Sequence, residues 1–291
     1  MKITNNKNKG AILITGASSG IGRATALMLD RNGFRVFATV RRQEDGDSLK
    51  ENSSGRIIPV IADLSDEASI KNAFTFISSS VGEQGLRGLV NNAGVNLEGP
   101  LEFFALSSIR KGLEVNLIGP IILIQTFLPL LRKCSSPRIV NVGSIGGVQS
   151  PPFVSPYAAS KGGLHAFTVS LRRELLPFGI HVSLVIPGNI RTPIWDKITE
   201  RVKRFSDDYT AEAMALYGGA FSAFQKTTER MATRGIPPER VARAVAHALA
   251  KKRPKTRYIV GLDAKLQSFA ARWVPDRIQD RVLLRVLGIH P

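Results

Sequence analysis

The segment Ala11-Ile-Leu-Ile-Thr-Gly-Ala-Ser-Ser-Gly-Ile-Gly22 joins a short apolar run to a glycine-rich turn, and a helical pattern, Arg23–Asn32, follows at once. Strand, glycine turn and helix in this order predict a dinucleotide phosphate site. Gly16 permits the tight turn, Gly20 lets backbone approach a pyrophosphate, and Gly22 lets the helix pack closely on the strand. With Ser18, Ser19 and Ile21 between them, these glycines are candidate cofactor contacts. The helix start adds free N–H groups and a positive dipole end.

Working outward, Phe34–Val40 reads as a second strand that ends in Arg41-Arg42. A dinucleotide fold holds the adenosine ribose at this point, an acid for a 2′-hydroxyl and an arginine for a 2′-phosphate. Glu44 and Asp45 come later, in an expected loop, so NADP(H) is favoured over NAD(H). Ile57–Ala62 is a third strand, running into Asp63-Leu64, and Asp66–Ser80 a helix capped by Ser65 or Asp66. Leu89-Val90 is a fourth strand, leading into Asn91-Asn-Ala-Gly94. Ser107–Lys133 reads as a long helix interrupted at Gly119-Pro120. Ile139–Val142 is a fifth strand, Ser155–Pro177 a helix, and Val182–Ile186 a sixth strand, ending in Pro187-Gly188. Pro237–Lys251 is a helix and Tyr258–Val260 a seventh strand. Strands alternating with helices predict an α/β fold, a Rossmann-type doubly wound parallel sheet in a single domain over 1–291. Ligands of such sheets bind beyond the carboxyl ends of the strands. Gly16, Arg41, Asp63, Asn91, Ser144 and Pro187 all follow strand ends and should share one rim. Candidate cofactor contacts therefore include Arg41, Arg42, Asp63, Leu64, Asn91, Ala93, Gly94, Pro187, Gly188, Ile190 and Thr192.

Tyr157-Ala-Ala-Ser-Lys161 supplies the chemistry. Four residues apart on a helix, Tyr157 and Lys161 share one face. A nearby ammonium favours a phenolate and should lower the Tyr157 pKa, which makes the pair an acid/base device for a carbonyl or hydroxyl oxygen. Ser144, just after a strand, can hold its hydroxyl against the same oxygen. Ile145 and Gly146 beside it are candidate substrate contacts.

The chain has 291 residues, 43% of them hydrophobic, a net charge of +17 and one cysteine, Cys134. That excludes a disulfide framework and a Cys-based metal site and fits a reducing, cytoplasmic setting. The charge raises nucleic acid, an anionic membrane or an anionic cofactor as partners, but no nucleic-acid motif accompanies it, and no metal-ligand cluster is found. Residues 1–9 are polar and basic, expected to be flexible and neither signal peptide nor anchor. The longest apolar candidate, Leu117–Leu131, looks too short to span a bilayer.

Thr15-Gly-x3-Gly-x-Gly22, Asn91-Asn-Ala-Gly94, Asn116, Ser144, Tyr157-x3-Lys161 and Pro187-Gly188, in this order, resemble the short-chain dehydrogenase/reductase family over about 9–262. The resemblance implies a Rossmann fold, a nicotinamide cofactor and interconversion of an alcohol and a carbonyl compound. It also implies an Asn116–Ser144–Tyr157–Lys161 tetrad. In it the Tyr is general acid/base, the Lys lowers its pKa and holds the nicotinamide ribose, the Ser positions the substrate oxygen, and the Asn supports a relay water. Tyr217-Gly-Gly-Ala-Phe221, Thr256-Arg-Tyr258 and Leu262-Asp-Ala-Lys265 resemble the branch of retinol and hydroxysteroid dehydrogenases. The implied substrate is a hydrophobic small molecule such as a steroid, a retinoid or another lipid. A noncatalytic NADP(H)-binding sensor is the alternative, disfavoured by the intact tetrad.

Three further expectations follow. The 192–236 segment breaks the strand–helix rhythm and should form a substrate lid, with Ile194, Trp195, Tyr217 and Phe221 nearest the substrate. The basic, amphipathic 265–291 tail can rest on an anionic membrane, close the pocket or form a homo-oligomer interface. Proline at 120 cannot donate to the Asn116 carbonyl, so a kink at 116–120 is expected, freeing that carbonyl for the relay water.

Overall fold

The computed structural model describes residues 9–193, 195 and 210–287. Residues 1–8, Ile194, 196–209 and 288–291, which include parts of the expected N-terminal segment, lid and tail, lie outside the described residues.

Seven parallel strands form one sheet in the order β3-β2-β1-β4-β5-β6-β7. They are β1 (Ala11–Ile14), β2 (Arg35–Val40), β3 (Ile57–Ile61), β4 (Gly88–Asn91), β5 (Arg138–Val142), β6 (His181–Pro187) and β7 (Arg257–Val260). The central strands β1, β4 and β5 are buried at every position. Parallel strands covered on both faces are mostly apolar on both; the polar exceptions in β4 and β5, Asn91, Arg138 and Asn141, are buried and hydrogen-bonded.

Helices α1 (Gly20–Arg31), α2 (Gln43–Glu51), α3 (Glu67–Val81), α4 (Leu106–Leu113), α5 (Gly119–Lys133), the short α6 (Gly146–Gln149) and α7 (Ser155–Leu175) connect the strands up to β6. Then come α8 (Ala211–Arg234), α9 (Glu239–Ala250), α10 (Leu262–Trp273) and α11 (Asp276–Leu287). One face of the sheet is covered by Ile70 and Ile77 of α3, Leu123 and Phe127 of α5, and Leu171 of α7. The other is covered by Ala26 and Leu29 of α1, with Val241 and Val245 of α9. The chain builds β1 to β3 outward in one direction and β4 to β7 in the other, so the topological switch point lies between β1 and β4, where ligands of such sheets bind.

Three expectations change. Glu44 and Asp45 are not in a loop; they open α2, where acids suit the positive end of a helix. The helix from Leu106 to Lys133 is long and apolar enough to cross a membrane by length and composition, so the judgement that this region is too short does not hold. Its apolar side, with Leu123, Ile124, Phe127, Leu130 and Leu131, is packed into the sheet core instead. The interruption in this helix is a π turn, Glu114–Ile118, one turn earlier than Gly119-Pro120. The Gly119 N–H reaches back five residues to the Glu114 carbonyl, and Pro120 sits in the first turn of α5, where a missing N–H is tolerated.

Candidate active site

The glycine turn is built by mutual exclusion of side chains. Gly16 and Gly20 have positive φ of 67° and 52°, a region that favours glycine. A Cβ on Gly16 would stand 2.8 Å from the Ala93 Cα, and one on Gly22 would overlap the Gly16 carbonyl oxygen. The loop after β4 fastens this turn. The Thr15 hydroxyl accepts from the N–H groups of Asn92 (3.0 Å) and Ala93 (3.1 Å), and the Asn92 amide donates to the carbonyls of Thr15 and Gly16. Asn91 turns inward, donating to Asn141 at 2.8 Å, and Asn141 donates to Thr168. Asn91 therefore supports the rim from within the sheet rather than offering its side chain to a ligand.

The segment after β6 closes the same crevice. Thr192 lies against Gly20, with its Cγ2 3.0 Å from where a Cβ would stand. Ile190 pairs with Ile236, and the Trp195 indole donates to the Ile190 carbonyl at 2.7 Å. Gly188 has no room for a side chain because the Asp263 carboxylate occupies that space and accepts the Asn189 N–H.

Ser19 starts α1 without a side-chain cap bond. Ser18 is partly buried, as is Ile21, which packs against the core. Arg41 and Arg42 are exposed just beyond β2. The Asp63 carboxyl is held below its ordinary value chiefly by bonds from Ser65, with Arg41 and Lys111 adding to it. Arg41 thus lies within electrostatic reach of the β3 end. Leu64 is buried, its carbonyl beneath Gly119, which makes it a packing residue. Glycines where backbone approaches closely and an uncapped helix start fit the pyrophosphate of a dinucleotide, and Arg41 and Arg42 stand exposed at the β2 end.

The reacting groups converge beside this crevice. Ser144 follows β5, and its hydroxyl accepts the Gly146 N–H at 3.1 Å. A Cβ on Gly146 would touch both the Tyr157 ring (3.2 Å) and the Ser144 oxygen (3.4 Å), so those two side chains share one wall. Ile145 donates its N–H to the Pro187 carbonyl. Lys161, one helical turn beyond Tyr157, donates to the Val142 carbonyl at 3.3 Å and lies against Gly94 next to Asn116. Asn116 is fully buried. Its Oδ1 accepts the Val95 N–H at 2.8 Å, and its Nδ2 donates to the Val95 carbonyl and to Ser160. The expectation for Asn116 concerned its main-chain carbonyl; the structure adds that its side chain ties the β4 loop to α7.

One electrostatic expectation reverses. The Tyr157 phenol is pushed above its ordinary value, because burial penalises the phenolate more than the bond from Ser144 favours it, and the Glu98 charge adds to the rise. Burial draws Lys161 down to about 8. Sequence spacing reports that Lys161 is near; it does not report how much water the fold removes.

Two residues were missed. Glu98 is only 6% exposed and close enough to act on Tyr157. His165 accepts the Ser144 N–H on Nε2 at 3.3 Å and fills the space that a side chain on Gly143 would need. Burial, with Lys161 and Arg257 nearby, holds it down to about 4, so it is a neutral acceptor. Its position four residues after Lys161 was the available signal.

Helix α8 packs on the loop that precedes Tyr157. Phe221 and Phe224 form an aromatic cluster with Phe153, with centroids 5.4 and 5.6 Å from the Phe153 ring, and Trp195 and Leu283 pack against it. Phe153 itself has a φ of 65°. The Tyr217 ring meets Phe103 and Phe153, and its hydroxyl donates to Glu102 at 3.0 Å. Of the expected substrate residues, Tyr217 and Phe221 thus reach the loop just before Tyr157, and Ile194 lies outside the described residues.

Residues 10–203 match the family model described as short chain dehydrogenase. The chain is 36% identical over 282 residues to mouse retinol dehydrogenase 5, covering 95% of this chain and 88% of that protein. It is 32% identical to an NADPH-dependent 3-dehydrocapnine reductase of Ornithobacterium rhinotracheale, covering 94% of this chain and 96% of the relative. Among solved structures, a short-chain dehydrogenase from Streptomyces avermitilis superposes with a TM-score of 0.76 at 26% identity, over 97% of this chain and 96% of that one.

Proposed function

The chain belongs to the short-chain dehydrogenase/reductase family, whose members act on CH–OH groups with NAD(P)(H), and on that premise we propose that it is an NADP(H)-dependent enzyme interconverting a hydrophobic alcohol and its ketone or aldehyde. The observation that carries the reading is the convergence of Ser144, Tyr157 and Lys161 beside the β1–β4 crevice, with Arg41 exposed beyond β2. NADP(H), when bound, supplies or accepts the hydride.

The residues divide the remaining work. Tyr157 gives its phenolic proton to the carbonyl oxygen during reduction and takes it back during oxidation. Its raised pKa keeps it protonated at neutral pH, the state that reduction uses. Ser144 donates to the same oxygen. Lys161 sits at the cofactor side of Tyr157, against Gly94, where its ammonium can hold the ribose. Arg41, with Arg42 beside it, takes a 2′-phosphate. Phe153, Tyr217 and Phe221 provide the apolar wall that sorts substrates, with α8 as the described part of the lid. The name of the 3-dehydrocapnine reductase specifies NADPH, and that of retinol dehydrogenase 5 names an apolar alcohol; both agree with this reading. A noncatalytic sensor would not need Ser144, Tyr157 and Lys161 set together.

The test is a cofactor-coupled screen over retinoid, steroid and short-chain carbonyls, run with NADPH and NADH. Wild-type protein should prefer NADPH and the larger apolar compounds, and Arg41→Asp should lower kcat/KM for NADPH while sparing NADH. An unchanged cofactor ratio in that variant would reject the role of Arg41, and a preference for short-chain carbonyls would reject the substrate class.

A further inference from the structure

Helix α10 is built inside out. An ordinary surface helix turns its large apolar residues to the core. Here Leu262, Leu266, Phe269 and Trp273, at successive spacings of four, three and four residues, share one face and are 73%, 63%, 64% and 66% exposed. The opposite face carries small or polar residues, Ala264, Gln267, Ser268 and Ala271, which are buried or partly buried. Helix α11 continues the pattern: Ile278 and Val282 are 49% and 57% exposed, while Leu283 turns in to the aromatic cluster and Gln279 bonds Gln149 beside the active-site loop.

Positive charge borders this apolar face. Lys265 and Arg272 flank it on α10, and the Arg272 guanidinium lies 5.4 Å from the Trp273 ring centre. Arg277, Arg281 and Arg285 follow on α11 at spacings of four. Among the described residues of α10 and α11, the acids lie off this face: Asp263 is turned to Asn189, and Asp276 and Asp280 fall by helical spacing on the side of α11 away from Ile278 and Val282. Between α9, the end of β7 and the start of α10 lies a cleft of about 410 Å³ lined by Arg240, Arg243, Lys265 and Leu262 among others. Apolar side chains that project outward beside a cationic cleft match the interface of a bilayer, acyl chains against the first and phosphate headgroups against the second. A second copy of the chain would bring the same arginines and lysine to the contact, which like-charge repulsion disfavours.

We propose that α10, α11 and the Arg240–Arg243–Lys265 cleft form a docking surface for an anionic phospholipid bilayer. Because Asp263 holds the Gly188-Asn189 turn and Leu283 packs on Phe221 and Phe224, docking sets the substrate side of the molecule near the lipid.

The full chain should co-sediment with vesicles of phosphatidylcholine plus phosphatidylserine, much less with phosphatidylcholine alone, and should be released by salt. Phe269→Ser with Leu266→Ser should weaken binding by about tenfold or more, and Arg243→Gln by about fivefold. Both changes are at the surface, so the thermal midpoint should stay put. In Trp195→Phe, Trp273 is the sole tryptophan, and its emission should shift to the blue on the anionic vesicles. Absence of vesicle binding at low salt would overturn the proposal. So would binding indifferent to Phe269→Ser with Leu266→Ser, an unshifted Trp273, or a concentration-dependent dimer abolished by that variant without lipid binding. None of these readouts uses turnover, so they stand apart from the substrate reading.

Discussion

The rim around Gly16 and Tyr157 and the cap made by α8, α10 and α11 are held by different forces. At the rim, backbone meets backbone: Gly16 lies against Ala93, Gly22 beneath the Gly16 carbonyl, and Gly147 against Lys161 and Gly162. Buried polar groups such as Asn116 and Thr15 each make several bonds, and losing one partner strands the other. Among the described residues, the cap is joined to the rest by a cluster of rings, Phe153, Phe221 and Phe224, and by polar bonds that include those of Tyr217, Gln279, Asp263 and the Met231 carbonyl. Dispersion and burial hold such a cluster without demanding one geometry. The rim therefore holds its reacting groups by directional bonds and close backbone contacts, whereas the cap is held mainly by ring burial.

The comparison breaks most visibly at the phenol. Tyr157→Phe removes one oxygen from the rim and should lower turnover by ~10²–10⁴ while leaving NADPH affinity and thermal midpoint near wild type. Steady-state rates beside a cofactor fluorescence titration measure both, and substantial turnover by this variant would sink the assignment. Next is Gly22→Ala. Its methyl group would overlap the Gly16 carbonyl and crowd the Asn92 amide, and overpacking of this kind costs about 1–3 kcal/mol, read as a lower denaturation midpoint. No loss would show that the glycine turn is less tight than its geometry.

The third prediction concerns acid. His165 titrates at about 4 in the folded chain against an ordinary 6.5, so between these values the unfolded state binds the proton and the folded state does not. Stability is fully present above 6.5 and falls as pH drops toward 4. His165→Gln keeps an acceptor for the Ser144 N–H but cannot titrate, so its loss of stability over that window should be smaller. Parallel pH profiles would place the acid sensitivity elsewhere. The smallest effect has the opposite sign. Gly219 lies within α8 with open space where a Cβ would go, so Gly219→Ala should raise stability by about 0.5–1 kcal/mol. One kind of substitution is thus expected to harm the rim and help the cap, and equal effects at Gly22 and Gly219 would erase the distinction.

The sequence by itself determined the parallel sheet, its seven strands and the rim of strand ends, because these rest on local pattern: apolar runs of strand length, glycines where backbone must turn, and helical spacing for Tyr157 and Lys161. It also marked Asn116 and Pro120 as a disturbed helix, though the π turn fell upstream because hydrogen-bond register is settled by packing on the sheet. Helix α2 escaped notice, since Gln43–Glu51 is polar and buries only Gly46 and Leu49. Tertiary structure alone decided which groups lose water. Burial is the sum of what distant segments cover, so it raised Tyr157 where sequence spacing argued for lowering, made His165 a neutral support for Ser144, and placed Glu98 within reach of the phenol. The same nonlocal sum left Leu262, Leu266, Phe269 and Trp273 facing outward. Their spacing marks one apolar face of a helix, but only the packing of Ala264 and Ala271 against the rest of the chain tells which way that face points.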